Sequence, residues 1–241
     1  MHRDNSRKLV GVVLAGGIGT RLFGPTGGSK ALFDLNGNPL IHYSLSAFDQ
    51  ARIREIAIVV RMKDEKLQSR YPSCEQIIEE SVGTLAAVMA AGNYARQKGA
   101  DVIISSCDLV CSPSSAKALI DASLANMNWV AAFGVTTIAN DHSPIWVHSD
   151  ASGQIVDYGK AIKPSRTAFA SIRFATLEFL DLMSEIGSSV SADIDTDTKL
   201  MRHLCVNKKL VAGVVDIGPA LDVDDEVDVR IATELSHSFR T

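Results

Sequence analysis

The chain has 241 residues, enough for one large domain or two small ones at about 150 residues each and for a core without disulfide staples. A hydrophobic fraction of 46% with 22% charged residues excludes a disordered acidic tail, a collagen-like chain and a disulfide scaffold. The net charge of −4 argues against a nucleic-acid coat or a basic membrane binder, and on average charge alone an anionic ligand looks unfavourable.

Residues 9–15 form a β-rich apolar run, read as a buried strand. A glycine-rich loop follows over residues 16–29. Residues 31–35 read as a short strand closed by a turn at Asn36-Gly37. Pro39 opens a helix from Leu40 to about Ala51, because proline suits the first helical turn. Residues 55–60 are the next strand, 82–97 a helix built on small residues, and 102–106 a third buried strand ending at Cys107-Asp108. Residues 115–126 read as helix and 129–135 as strand. This alternation predicts a mostly parallel sheet with helices on both faces.

The later part changes character. Residues 144–148 and 154–160 flank a turn at Asp150-Ala151-Ser152-Gly153, a hairpin signal. Residues 169–174 are a strand followed by a helix to about Ile186. Residues 198–206 are helical, 210–215 a strand and 227–235 a closing helix. No repeat, low-complexity tract or linker intervenes, so a single α/β domain over 1–241 with an embedded antiparallel excursion is expected.

Four cysteines (Cys74, Cys107, Cys111 and Cys205) match no zinc spacing and read as reduced thiols. Residues 1–8 are polar and lack the apolar stretch of a signal peptide. Residues 122–140 lack charge, but interspersed polar residues make them too weak for a transmembrane helix. A cytoplasmic protein with no membrane or nucleic-acid partner is expected. The six histidines form no H-x-x-x-H pair and no G-x-S-x-G elbow occurs, which disfavours a zinc enzyme or a serine hydrolase.

The average charge hides two poles. Residues 1–30 carry Arg3, Arg7, Lys8, Arg21 and Lys30 against Asp4 alone. Residues 214–228 carry Asp216, Asp222, Asp224, Asp225, Glu226 and Asp228 with no base. The glycine loop runs Leu14-Ala15-Gly16-Gly17-Ile18-Gly19-Thr20-Arg21-Leu22. It fails the P-loop pattern, since Gly28-Ser29-Lys30-Ala31 has the wrong spacing. A dinucleotide fingerprint begins at Gly17-Ile18-Gly19, but Leu22 stands where the last glycine belongs, which disfavours a nicotinamide oxidoreductase. Consecutive glycines let backbone N–H groups converge on phosphate oxygens without Cβ obstruction. Arg21 and Lys30 add two cations, so the segment reads as a triphosphate site.

Residues 14–22, with Lys30-Ala31-Leu32 and Leu35-Asn36-Gly37-Asn38-Pro39-Leu40-Ile41, resemble the signature of the nucleotidyltransferases that activate sugar phosphates and alcohol phosphates. That pattern is roughly L-A-G-G-x-G-T-R-L, a spacer, P-K-x-L, then L-x-G-K-P-L-I. Ser29 departs from the usual proline and Asn38 from the usual lysine. The resemblance implies a Rossmann-like, GT-A-like three-layer α/β/α fold with a mostly parallel mixed sheet. Residues 8–135 would form a nucleotide-binding half and 136–241 an acceptor-binding half.

It also implies roles. Leu14, Ala15, Gly16, Gly17, Gly19, Thr20, Gly83 and Thr84 would hold the nucleotide, and Arg21 and Lys30 its phosphates. Asp108, ending a strand, would bind Mg²⁺. Residues 154–160, ending Gly159-Lys160-Ala161, look like the segment whose lysine meets the acceptor phosphate, with Lys163 as a rival. That form is reminiscent of the branch acting on phospho-alcohols and tilts the expectation to CTP. Residues 221–229 resemble the closing acidic motif, although Ala220 replaces the usual aromatic and Asp225-Glu226 replace Thr-Pro. Asp222 and Asp224 are the candidates for the second metal ligand. Asp225, Glu226 and Asp228 suit a helix cap and the positive end of a helix dipole.

The function expected is Mg²⁺-dependent transfer of a nucleotidyl group, CMP favoured, from an NTP to a phosphorylated or phosphonate small molecule, with release of pyrophosphate. A uridylyl-, thymidylyl- or guanylyltransferase acting on a sugar 1-phosphate is the alternative. A non-catalytic nucleotide-binding regulator is the alternative of another class. Oligomeric state is not legible.

Overall fold

The computed structural model of the protein describes residues 8–17, 19–24, 28–81, 83–137, 144–189, 194–206 and 211–239. Of the positions read from sequence, Arg3, Asp4, Arg7, Ile18, the first residue of the expected 82–97 helix and the first of the expected 210–215 strand lie outside these. The first half runs β1 (Leu9–Leu14), α1 (Thr20–Phe23), β2 (Asp34–Leu35), β3 (Asn38–Pro39), α2 (Ile41–Gln50), β4 (Glu55–Val60), α3 (Glu65–Arg70), β5 (Glu75–Ile78), α4 (Thr84–Lys98), β6 (Asp101–Ser106), β7 (Leu109–Val110), α5 (Ser115–Ala125) and β8 (Ala131–Thr136). The second runs β9 (Trp146–Ser149), β10 (Ile155–Gly159), β11 (Ala168–Ala175), α6 (Leu177–Ser189), α7 (Asp197–Val206), β12 (Ala212–Asp216), β13 (Leu221–Asp222) and α8 (Glu226–Ser238).

β1 is a near-continuous apolar run because both of its faces are covered, and β6 is buried from Asp101 to Ser105 around its apolar centre Val102–Ile104. β1 lies between β4 and β6, parallel to both, and β5 continues the parallel sheet beyond β4. β11 changes the direction. It pairs antiparallel with β6 and with β8, and β12 lies parallel to β8. The predicted hairpin forms as β9–β10, antiparallel about the turn at Asp150–Gly153. The result is the expected α/β architecture on a mixed sheet.

Helices cover both faces. Val88 and Tyr94 of α4, Phe179 and Met183 of α6, and Leu200 and Leu204 of α7 pack on one. Ile41 and Phe48 of α2, Leu67 of α3 and Leu119 of α5 pack on the other. Gly11 in β1 is required by this second layer, since a Cβ there would lie 2.6 Å from the Phe48 ring. A smaller cluster joins α8 to the β2–β3 and β7–β13 ladders through Leu35, Leu40, Val110, Leu221 and Ala232. Among the described residues no helix is long and apolar enough to cross a membrane.

Some expectations change in detail. The glycine loop contains the short helix α1. The strand read over 31–35 is a 3₁₀ turn at Lys30–Leu32 followed by only two ladder residues. Pro39 belongs to β3, and Leu40 caps α2. Asn36 and Gly37 both have positive φ, 57° and 79°, as a tight hairpin turn demands. α3 and β5 were not foreseen. α3 has one buried residue and rests on its cap, with Leu67 N donating to Asp64 Oδ1 at 2.9 Å. β5 is an edge strand without apolar alternation.

Candidate active site

Parallel strands gather their carboxyl ends on one edge of the sheet, where loops can meet a ligand. The chain leaving β1 stays against its neighbours there. Ala15 N donates to the Val59 carbonyl at 2.8 Å, and Cys107 N donates to the Leu14 carbonyl at 3.0 Å. Leu14, Gly16 and Gly17 line a cleft of about 370 Å³, and Gly83 and Thr84 line it too. Gly83 has φ 116°, a conformation that side-chain-bearing residues avoid, and it caps the 15-residue helix α4. The amino-terminal N–H groups of α4 are thereby presented to the cleft, a favourable setting for an anion. Gly19, with φ 58°, caps α1. Gly19, Thr20 and Arg21 stand outside the cleft wall, and the Arg21 side chain is exposed on the rim.

Lys30 is buried at the floor of this cleft. Its Nζ donates to Asp108 Oδ2, and to Asp224 Oδ1 at 2.5 Å. Burial opposes the Lys30 charge, but Asp108 and Asp224 outweigh it and hold the ammonium above the ordinary lysine range. Asp108 follows β6, and Ser106 Oγ donates to its Oδ1. The short β7–β13 ladder then carries the acidic segment across. Asp222 faces Leu109 in register, and Val223 N donates to the Asp108 carbonyl at 3.0 Å. Arg21 Nη1 lies 3.5 Å from Asp224 Oδ2.

Asp222 is held from the other half of the molecule, since Ser171 Oγ in β11 donates to its Oδ2 at 2.5 Å. Ser171 adopts φ 47° where the ladder between β11 and β8 shifts register. A left-handed serine inside a strand is strained, and such strain clusters at functional sites. Asp222 Oδ1 is buried with no hydrogen-bond partner among the described residues. Burial, with Asp108 nearby, pushes the Asp222 carboxyl up to about 8.

Among the described residues no three His, Cys, Asp or Glu side chains form a ready-made metal cage. The donor set still suits a hard divalent cation. Asp108 and Asp224 both act electrostatically on Asp222, one oxygen of which has no hydrogen-bond partner among the described residues. Mg²⁺ typically takes one or two carboxylates together with phosphate oxygens.

The remaining acidic residues behave as the sequence suggests. Asp225 Oδ1 accepts from Val227 N at 2.8 Å and from Asp228 N at 3.1 Å, and Asp228 Oδ2 accepts from Asp225 N at 3.3 Å. This reciprocal box caps α8. Lys160 and Lys163 are both exposed, and neither lines the cleft.

Among the cleft residues that sequence reasoning passed over are Ser106, Ser171, Arg173 and Asp197. Arg173 is the one with a legible signal, a charge inside the apolar strand Ala168–Ala175. It is buried and paired with Asp197 through two bonds, Nη1 to Oδ1 at 3.1 Å and Nη2 to Oδ2 at 2.6 Å.

Residues 11–167 match the MobA-like NTP transferase domain. A 2-C-methyl-D-erythritol 4-phosphate cytidylyltransferase of Clostridium perfringens is 41% identical over 58 residues, 24% of this chain and 25% of that protein. A molybdenum cofactor guanylyltransferase of Yersinia pestis is 33% identical over 107 residues, 44% of this chain and 52% of that protein. The chain thus spans a quarter to about half the length of the curated relatives it matches. The solved inositol-1-phosphate CTP transferase from T. maritima superposes with a TM-score of 0.78 at 18% identity, covering 98% of this chain and 97% of that one. A putative glucose-1-phosphate thymidylyltransferase from Bacillus anthracis gives 0.78 at 16% identity, covering 95% of each. At these identities the two structures establish the shared fold. The family match runs from within β1 to the residue before β11 and takes in the glycine loop, Lys30 and Asp108 together, so the chain is a member of the MobA-like NTP transferase domain family.

Proposed function

We propose that the protein transfers a nucleotidyl group, CMP favoured, from an NTP to a phosphorylated or phosphonate small molecule and releases pyrophosphate. The observation that carries this reading is the junction of Lys30 with Asp108 and Asp224 beneath the glycine-lined cleft. An oxygen of the acceptor phosphate attacks the α-phosphorus in line. A new P–O bond forms, the bond from the α-phosphorus to the bridging oxygen breaks, and that oxygen departs on pyrophosphate. The attacking oxygen is already anionic, so no strong general base is needed. Catalysis then rests on position and electrostatic stabilisation.

The amides of Gly16 and Gly17 and the amino-terminal end of α4 orient the triphosphate. Lys30 shifts from the carboxylates to the α-phosphate as the nucleotide enters, and Arg21 on the rim meets the leaving pyrophosphate. Asp108, with Asp222 or Asp224, would hold Mg²⁺. That ion supplies charge neutralisation across the phosphates when bound. Lys160 and Lys163 are exposed enough to meet an acceptor phosphate from outside the cleft.

CTP is supported by the Gly159-Lys160-Ala161 form, by the cytidylyltransferase match and by the CTP-transferase neighbour. The guanylyltransferase match covers more of the chain, which makes GTP the second reading. A pyrophosphate-release screen crossing four NTPs with sugar, choline, polyol and phosphonate acceptors tests the proposal. Release is expected with one nucleotide–acceptor pair and lost with EDTA. Nucleotide binding without release from any pair would identify a non-catalytic regulator instead.

A further inference from the structure

The cleft extends beyond the nucleotide residues to a wall supplied by the second half: Ile145, Phe169, Ser171, Arg173, Asp197 and Thr198. Its two charged side chains are nine-tenths buried or more, Arg173 at 4% exposure and Asp197 at 8%. The guanidinium lies over both the Phe133 and the Phe169 ring, 5.5 Å and 5.6 Å from their centroids, which are themselves 5.5 Å apart. Tyr158 packs against both rings. Arg173 is therefore fixed in orientation as well as in charge.

Stability alone gives little reason for such a pair, because apolar residues of similar volume are often equally stabilising. Its place in a cleft wall gives another. Arginine has five N–H donors, and Asp197 takes two of them. The pair itself leaves three donors of Arg173 and further lone pairs of Asp197 unused. The wall is thus charge-balanced, with donors and acceptors side by side over an apolar surface of Ile145 and Phe169. A hydroxyl donates and accepts at once, and adjacent hydroxyls match this arrangement. A quaternary ammonium does not, since the Phe169 face is already covered by a cation. A second anion meets the Asp197 carboxylate.

The geometry points to Arg173 and Asp197 as the subsite that reads hydroxyl groups on the acceptor, selecting polyol or sugar phosphates over choline-type phosphates. This rests on the nucleotidyl-transfer reading for what fills the cleft, but the pair can be tested by binding alone. Titration calorimetry on the full chain would use glycerol 3-phosphate, erythritol 4-phosphate, glucose 1-phosphate and phosphocholine. At least one hydroxylated probe should bind 10²-fold or more tighter than phosphocholine, as about that discrimination or greater is typical of sites built to bond a hydroxyl.

The double variant Arg173→Met/Asp197→Leu removes both charges together and should fold with a Tm near wild type. It should lose that preference while NTP binding stays unchanged. In turnover, the acceptor KM should rise with little change in the NTP KM. Equal binding of all four probes, no binding of any, or an unchanged preference in the folded double variant would overturn the inference. Absence of pyrophosphate release, with hydroxyl-dependent binding intact, would instead overturn the transfer reaction and leave the subsite standing.

Discussion

Replacing Lys30 with methionine keeps most of the side-chain volume and removes the charge that two carboxylates share. The Lys30 side chain is 9% exposed and Asp108 16%, whereas Asp224 is 42% exposed. Breaking a buried pair by deleting one partner costs about 3–5 kcal/mol, and an exposed pair is worth about 0–1 kcal/mol. Asp108 belongs near the first limit and Asp224 near the second, and partial hydration of Asp108 lowers the total. A loss of about 2–4 kcal/mol follows. At about 2–4 °C per kcal/mol for a chain of this size, Tm should fall by roughly 5–15 °C. Mg²⁺ should restore more of the Tm of Lys30→Met than it adds to wild type, because the ion replaces the missing ammonium among the acids. Scanning calorimetry with and without Mg²⁺ reads both effects. A Tm equal to wild type, or the same Mg²⁺ increment in both proteins, would refute the view that Lys30 holds these carboxylates together. In turnover, about 10²–10³ should be lost with one preorganised contact.

Three further substitutions test other parts of the structure. Ser171→Gly and Ser171→Ala both remove the hydroxyl that binds Asp222, but only glycine relaxes the positive φ. The glycine variant should therefore melt higher than the alanine variant by about 1 kcal/mol in unfolding free energy, and equal stabilities would count against strain there. Asp225→Ala removes the capping box of α8 and should cost about 1 kcal/mol in urea unfolding; no change would mean the cap is redundant. Gly11→Ala drives a methyl into the Phe48 ring and should destabilise by about 1–3 kcal/mol, with a neutral result showing that α2 can move away.

Much of the fold was legible because its signals are local and redundant. The apolar run at Leu9–Leu14, the glycines after it and the alternation with helices each point to a parallel sheet. Asp225 as a cap was legible for the same reason, since the residues that answer it lie within one helical turn. The site was only partly legible. Asp222 and Asp224 differ by two positions in sequence and both are partly exposed, yet one is bonded to Ser171 and the other lies beside Arg21 and Lys30. That difference is set by β11, which sequence spacing does not bring near. Arg173 was missed because its partner Asp197 lies 24 residues away, where no motif links them. The exposed position of Lys160 also depends on β10, which lies at the edge of the sheet and ends at Gly159.

The two-residue ladder between β7 and β13 has a consequence for the order in which the protein comes into being. Lys30 and Asp108 are 78 positions apart, but Lys30 and Asp224 are 194 apart. During synthesis the parallel sheet from β1 to β6 can form with Lys30 answered by Asp108 alone. The second carboxylate on Lys30 arrives only after the segment that carries Asp222 and Asp224 has emerged and paired with Leu109 and Val110. The carboxylate cluster around Lys30 is therefore completed late, when parts of the sequence 194 positions apart have met.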